Sequence, residues 1–236
     1  MKRTLLRVLL GRRVTIWTIG EQNSAYWSNL GYDTQVRIPY TVPDPPRASF
    51  ADGLALRRSA LQVSDSDFFV LFVGRLEEWK GVIDLCSAFR ELSGCGVKVV
   101  LGIVGNGSLR RAVEEQARSD VRIRVLGAKP HSEVGQFYAA ADLLVVPSHE
   151  EPWGLVVNEA LVNGCRVLAS DAVGAADDLI TDRNGARFPA GDRVALRKAL
   201  AAEITSGRRR APTLVEVDVV TLFEIEMRRI LSASRL

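Results

Sequence analysis

Two acids eight positions apart, Glu151 and Glu159, and two cations five positions apart, Arg75 and Lys80, are the residues whose types and spacing could do chemistry in this chain. Glu151 stands in the turn Pro147-Ser148-His149-Glu150-Glu151-Pro152-Trp153-Gly154, directly after the apolar run Leu143 to Val146. Glu159 falls further on, inside a helix expected to begin near Gly154. Carboxylates accept hydrogen bonds from hydroxyls, while fixed cations and the N–H groups of a helix N-terminus hold phosphates. A sugar nucleotide carries both kinds of group. Such side chains act together only where a scaffold brings them to one place, and open parallel sheets do so beyond the carboxyl ends of their strands.

The sequence contains such a scaffold. Residues 68–74 are a continuous apolar run closed by a glycine, as in a strand buried on both faces. An amphipathic helix is expected over 81–92, with Val82, Ile83, Leu85, Cys86, Phe89 and Leu92 on one side. The cycle repeats: strands near 97–104, 121–126, 143–147, 166–170 and 186–189 alternate with helices near 108–118, 132–141, 154–163, 175–181 and 192–204. Alternation at this period predicts an α/β fold, a doubly wound parallel sheet of Rossmann-like type. Arg75 then follows the first strand, Lys80 opens the next helix, and both glutamates belong to the 143–163 unit.

Two regions lie outside that pattern. Residues 1–64 read as a strand near 14–19, a helix near 21–30 and a strand near 36–40. The proline-rich linker Val42-Pro43-Asp44-Pro45-Pro46 follows, extended in character. At the other end Gly207-Arg208-Arg209-Arg210-Ala211-Pro212 reads as a polar hinge before a final helix over about 213–232. The predicted division is thus 1–64, 65–206 and 207–236.

Bulk properties exclude several classes. A chain of 236 residues buries a full core without staples. A net charge of +3 does not argue for nucleic acid, although the basic N-terminus could help docking to an anionic membrane surface. Cys86, Cys95 and Cys165 have no metal-ligand spacing and suit a reducing, cytoplasmic setting. No apolar run approaches the ~20 residues of a membrane span.

Several motifs share one resemblance. Gly74-Arg75-Leu76 with Lys80-Gly81, then Gly105-Asn106-Gly107, Val125-Leu126-Gly127, Ala141-Asp142 and the Glu151-x7-Glu159 element occur in the order and spacing of the retaining glycosyltransferases of GT-B architecture, family 4 or group 1. The match runs from about residue 66 to about 205, and residues 1–64 are similar to the end of the acceptor-side domain of that family. The resemblance implies a nucleoside diphosphate sugar as donor and an acceptor hydroxyl on a sugar, lipid or other molecule. It implies that Gly74, Arg75 and Lys80 hold the diphosphate, that Glu151 contacts the sugar side and that Glu159 accepts from the ribose diol. Gly105 and Gly107 would turn close to the nucleotide, Lys129 would lie in the loop that cradles the base, and the N–H groups of Trp153, Gly154 and Leu155 would face sugar and phosphate. Arg75, Lys80 and Glu151 are the catalytic set this implies. Trp79 departs from the small residue or proline expected before the lysine.

Each motif also has a plainer reading. The cations could be neutralised by Glu77 and Glu78, the acids could be a solvated loop and a helix surface, and His131 could cap a helix rather than touch a ligand. Asp65-Ser66-Asp67 spells a metal-binding Asp-x-Asp but precedes the first strand, at the wrong edge of the sheet. No cofactor and no metal are therefore expected, the two cations serving in the metal's place. No catalytic His–Asp arrangement is visible. Because most of the acceptor-side domain has no counterpart in the 236 residues, this chain alone is expected to bind a nucleotide but to transfer sugar poorly. Turnover above that of an Arg75→Ala control would contradict that. The other readings are a donor-binding subunit working with a separate acceptor-domain protein, a nucleotide-binding module without activity, and a nucleotide-sugar epimerase of the same fold.

Overall fold

The computed structural model describes residues 14–38 and 45–207, which belong to two separate compact units. The basic opening of the chain, residues 39–44 and the expected final helix over 213–232 lie outside the described residues.

The described part of the smaller unit is a β-α-β turn: β1 (Ile16–Ile19), α1 (Gly20–Asn29) and β2 (Gln35–Ile38), the two strands parallel. Gln35 Nε2 donates to Ser28 Oγ at 2.8 Å and to Tyr32 O at 2.7 Å, which pins the strand to the end of α1.

The larger unit opens with α2 (Phe50–Ser59), a helix that the strand and helix pattern of the sequence does not predict. Its start is a capping box, with Ser49 Oγ accepting from Asp52 N and the Asp52 carboxylate accepting from Ser49 N. From there the chain alternates: β3 (Phe68–Val73), a 3-10 turn (Glu78–Lys80), α3 (Val82–Arg90), β4 (Val99–Val104), α4 (Arg110–Ser119), β5 (Ile123–Gly127), α5 (His131–Ala140), β6 (Leu143–Val146), α6 (Leu155–Val162), β7 (Arg166–Ser170), α7 (Gly174–Leu179), β8 (Gly185–Phe188) and α8 (Arg193–Thr205). The six strands β3 to β8 form one parallel sheet in the order β5-β4-β3-β6-β7-β8.

Period-two alternation sorts the core. Phe68, Val70 and Phe72 of β3 pack with α3, α4 and α8 on one face. Phe69 and Leu71 pack with α2, α5, α6 and α7 on the other. Helices on both faces make the sheet doubly wound, as the sequence pattern requires.

The predicted boundary at residue 65 needs correction. Residues 45–64 belong with the sheet: Asn163, just beyond α6, accepts from Ala48 N at 2.9 Å and donates to Pro46 O at 2.7 Å. Arg57 of α2 enters the core, donating to Ala140 O (3.0 Å), Asp142 Oδ2 (3.1 Å), Ser64 O (3.0 Å) and Asp67 O (2.6 Å). Asp142 also accepts from Phe69 N at 2.8 Å, so this ion pair fixes α2 and β3 together at the amino-terminal edge of the sheet.

Candidate functional site

Strand order reverses between β3 and β6: from β3 the chain moves outward through β4 to β5, and from β6 outward through β7 to β8. Such a switch point leaves a crevice, because the two flanking β–α connections run away from each other. The β3–α3 connection carries Arg75 and Lys80; the β6–α6 connection carries Glu151.

The two connections meet. Lys80 Nζ donates to Glu151 Oε2, with the two side chains only 22% and 13% exposed. Gly81 makes the approach possible: its φ is +67°, and a Cβ there would run into Pro147 O. His149 N donates to Trp79 O at 2.7 Å, a second lace between the same loops. On the far side, Ser170 Oγ donates to Ser148 O at 2.5 Å and Gly174 N to Glu151 O at 3.0 Å, anchoring the acid's backbone to the β7–α7 connection.

The glycine loops interlock next to this pair. Gly105, at φ +148°, faces Gly74 so closely that a Cβ would strike Gly74 O. Leu76 N donates to Asn106 O at 2.9 Å and Leu109 N to Leu76 O at 2.9 Å, while Gly107 lies against the Leu76 backbone. Ser108 donates to Glu77 through Oγ at 2.6 Å and through N at 3.2 Å, which holds the Glu77 carboxyl below its ordinary range. Glu77 thus serves the loop, and Lys80 is neutralised by Glu151 rather than by Glu78.

Arg75 stands apart from that ion pair. Its side chain is 71% exposed, 3.6 Å from Glu77 Oε1, with its guanidinium 5.7 Å from the centre of the Trp79 ring. Trp79 itself is 43% exposed.

Glu159, expected to accept from the ribose diol, lies inside α6. It is only 8% exposed, and its Oε2 accepts from the Tyr138 hydroxyl of α5 at 2.7 Å. Burial raises its carboxyl above the ordinary value, while the Tyr138 bond and the charge of His131 pull the other way. Tyr138 is the residue that sequence reasoning missed, because it sits 21 positions away in another helix.

The remaining candidates are placed as follows. Gly154 and Leu155 stand at the amino end of α6, where Val157 N donates to Gly154 O at 2.9 Å. The Trp153 indole donates to Asn158 Oδ1 at 2.9 Å, folding the ring down onto α6. Lys129 lies with its ammonium 5.7 Å from the centre of the Phe137 ring, turned toward α5. His131 is the first residue of α5, and Pro130 takes the cap position. His149 Nε2 is 2.8 Å from Asp84 Oδ2 on α3, a part-exposed contact joining residues 65 apart. Asp67 accepts from Ser64 N at 3.0 Å and lies 3.5 Å from Lys98, and Asp65 pairs with Arg58. Among the described residues no cluster of three metal-ligating side chains occurs, and no helix is long and apolar enough to cross a membrane.

A parallel sheet with a crevice at its switch point, cations on one lip and an acid on the other, defines an open α/β domain of the kind that binds ligands beyond its strand ends. The comparisons specify it further. Residues 56–211 match the family model described as glycosyl transferases group 1, and the chain belongs to that family. It is 33% identical over 147 residues to a glycogen synthase of Mycobacterium tuberculosis, covering 59% of this chain and 36% of that protein. It is 33% identical over 171 residues to a D-inositol 3-phosphate glycosyltransferase of Xylanimonas cellulosilytica, covering 71% of this chain and 41% of that protein. The matched regions thus span well under half the length of these relatives. Among solved structures, the Anabaena protein HepE in complex with UDP aligns with a TM-score of 0.72 at 22% identity, over 99% of this chain and 68% of that one. The sucrose-phosphate synthase of Thermosynechococcus elongatus aligns with a TM-score of 0.71 at 24% identity, over 99% and 62%. These likenesses show the shared GT-B type of fold.

Proposed function

We propose that this chain holds the nucleoside diphosphate sugar in a glycosyltransferase that passes the sugar to an acceptor hydroxyl with retention of configuration. The observation that carries the reading is the contact between Lys80 and Glu151 across the switch point. It joins the two family motifs at the place where open parallel sheets bind ligands. Relatives named for glycogen synthesis and inositol phosphate glycosylation support it, as does the fold neighbour solved with UDP.

In this reading Lys80 and Arg75 hold the diphosphate. When the bond between the anomeric carbon and the phosphate oxygen breaks, negative charge grows on the departing diphosphate, and fixed cations stabilise it more in the transition state than before. The acceptor hydroxyl forms the new bond on the face the diphosphate leaves, and its proton passes to the departing phosphate oxygen. Glu151 takes a hydroxyl of the sugar and Glu159 the ribose. The cations occupy the electrostatic role that a metal ion would play, so no metal is required. The acceptor pocket comes from outside the sheet unit, on the same polypeptide or a partner protein, and closes over the crevice.

Titration calorimetry with UDP and GDP tests the reading. Lys80→Ala is expected to weaken diphosphate binding about 10- to 100-fold, the range for losing a charge-assisted contact. Equal affinity in the parent and Lys80→Ala chains would refute the placement of the diphosphate.

A further inference from the structure

Tyr138 is wholly buried in α5, yet its hydroxyl is spent on one partner, Glu159 Oε2 at 2.7 Å. A phenol that only fills space would do so equally well as phenylalanine, and a buried acid without a donor would be costly. The pair therefore solves two problems at once. It satisfies the phenol, and it fixes one oxygen of a side chain with three rotatable bonds.

We infer that Tyr138 is a positioning residue for the donor's ribose: it fixes Glu159 Oε2 so that the carboxylate presents Oε1 to the ligand, with His131 of the same helix adding charge. This rests on the reading that Glu159 receives the ribose diol. A carboxylate held in its binding rotamer before the ligand arrives loses less freedom on binding.

The ionisable groups around the carboxylate fit that role. Tyr138 and His131, both on α5, favour the ionised acid, against a burial that disfavours it. Burial, the Glu159 charge and bond, and Cys165 before β7 drive the Tyr138 phenol well up, so it remains a donor across the working range. Removing the hydroxyl leaves burial less opposed. The pH below which nucleotide binding fades then moves upward.

UDP affinity measured by calorimetry between pH 5 and pH 8 tests this on the parent, Tyr138→Phe, His131→Gln, Glu159→Gln and the double variant Tyr138→Phe/Glu159→Gln. Tyr138→Phe is expected to weaken UDP about tenfold near pH 7 and to shift the fading of affinity to higher pH. Added to Glu159→Gln, it is expected to change nothing more, because its effect runs through that carboxylate. His131→Gln shifts the profile the same way by less. A Tyr138→Phe chain that melts at lower temperature but binds UDP like the parent, with an unshifted profile, overturns the inference and leaves Tyr138 a packing residue. Should that variant not fold, a UDP-bound structure of the parent in which the Tyr138–Glu159 bond is broken overturns it instead. If Glu159→Gln binds UDP as tightly as the parent, the ribose reading itself has failed, an outcome separate from any result on Tyr138.

Discussion

Glu151 and Glu159 are the same residue type eight positions apart, and the fold gives them opposite surroundings. Glu151 sits on a loop, neutralised by a cation from another β–α connection. Glu159 sits inside a helix, nearly sealed, facing a neutral phenol. The contrast suggests a division of labour. In the proposed function the loop acid releases its lysine when a diphosphate arrives, so it is exchangeable. The helix acid keeps its partner throughout, so it is preorganised. A sugar changes position during transfer and the nucleoside does not, which suits an exchangeable acid on the sugar side and a fixed one on the ribose.

The contrast is anchored by a pair that does no ligand chemistry. Arg57 and Asp142 are both about 95% buried at the opposite edge of the sheet. Asp142→Asn takes the carboxylate counter-ion from a buried guanidinium and is expected to cost about 3–5 kcal/mol of stability in chemical denaturation. UDP affinity of the still-folded fraction should be unaffected. A denaturation midpoint equal to the parent's would mean that α2 is not held as described.

The acids themselves should separate next. Glu159→Gln is expected to weaken UDP about tenfold, since a neutral amide replaces a carboxylate acceptor. Glu151→Gln is expected to leave UDP binding intact or tighten it a few-fold, because Lys80 loses its internal counter-ion. Equal losses in the two variants would erase the distinction drawn here.

The pH responses sharpen it further. Glu159 has a folded-state value raised by burial, so the folded chain binds the extra proton between the ordinary carboxylate value and that raised value. Stability therefore falls as pH rises through this window, and Glu159→Gln should flatten the slope. UDP binding, which in the proposed function uses the carboxylate, should rise over the same window. Urea midpoints and calorimetry on one buffer series would show the two trends running in opposite directions. A smaller effect concerns the thiols. Burial pushes Cys86 up to about 12 and Cys165 is buried, so iodoacetamide should label Cys95 alone in the folded chain. Labelling of Cys86 at a comparable rate, read by peptide mass, would show that the α3 face opens.

How far the sequence led is clear from particular elements. Apolar runs such as Phe68–Val73 and Leu143–Val146 have one reading once glycine and turn residues bound them, and they carry the sheet. The motifs were legible for the same reason: each lies within a few residues of a strand end. α2 was not, because its buried face is made of Gly53, pressed against Ala139 and Ala140, and of a charged residue, Arg57. Hydrophobic periodicity is blind to both, although Ser49 and Asp52 spelled the capping box. Tyr138–Glu159 and Asp84–His149 were hidden for another reason. Each joins two elements that only the three-dimensional packing brings together.

The placement of the ligand can be observed most directly by solving the chain with UDP bound. The expected structure has the diphosphate in the crevice between β3 and β6, with Lys80 Nζ moved from Glu151 Oε2 to a phosphate oxygen and the Tyr138–Glu159 bond intact. UDP bound elsewhere, with Lys80 still on Glu151, would contradict the account at its root.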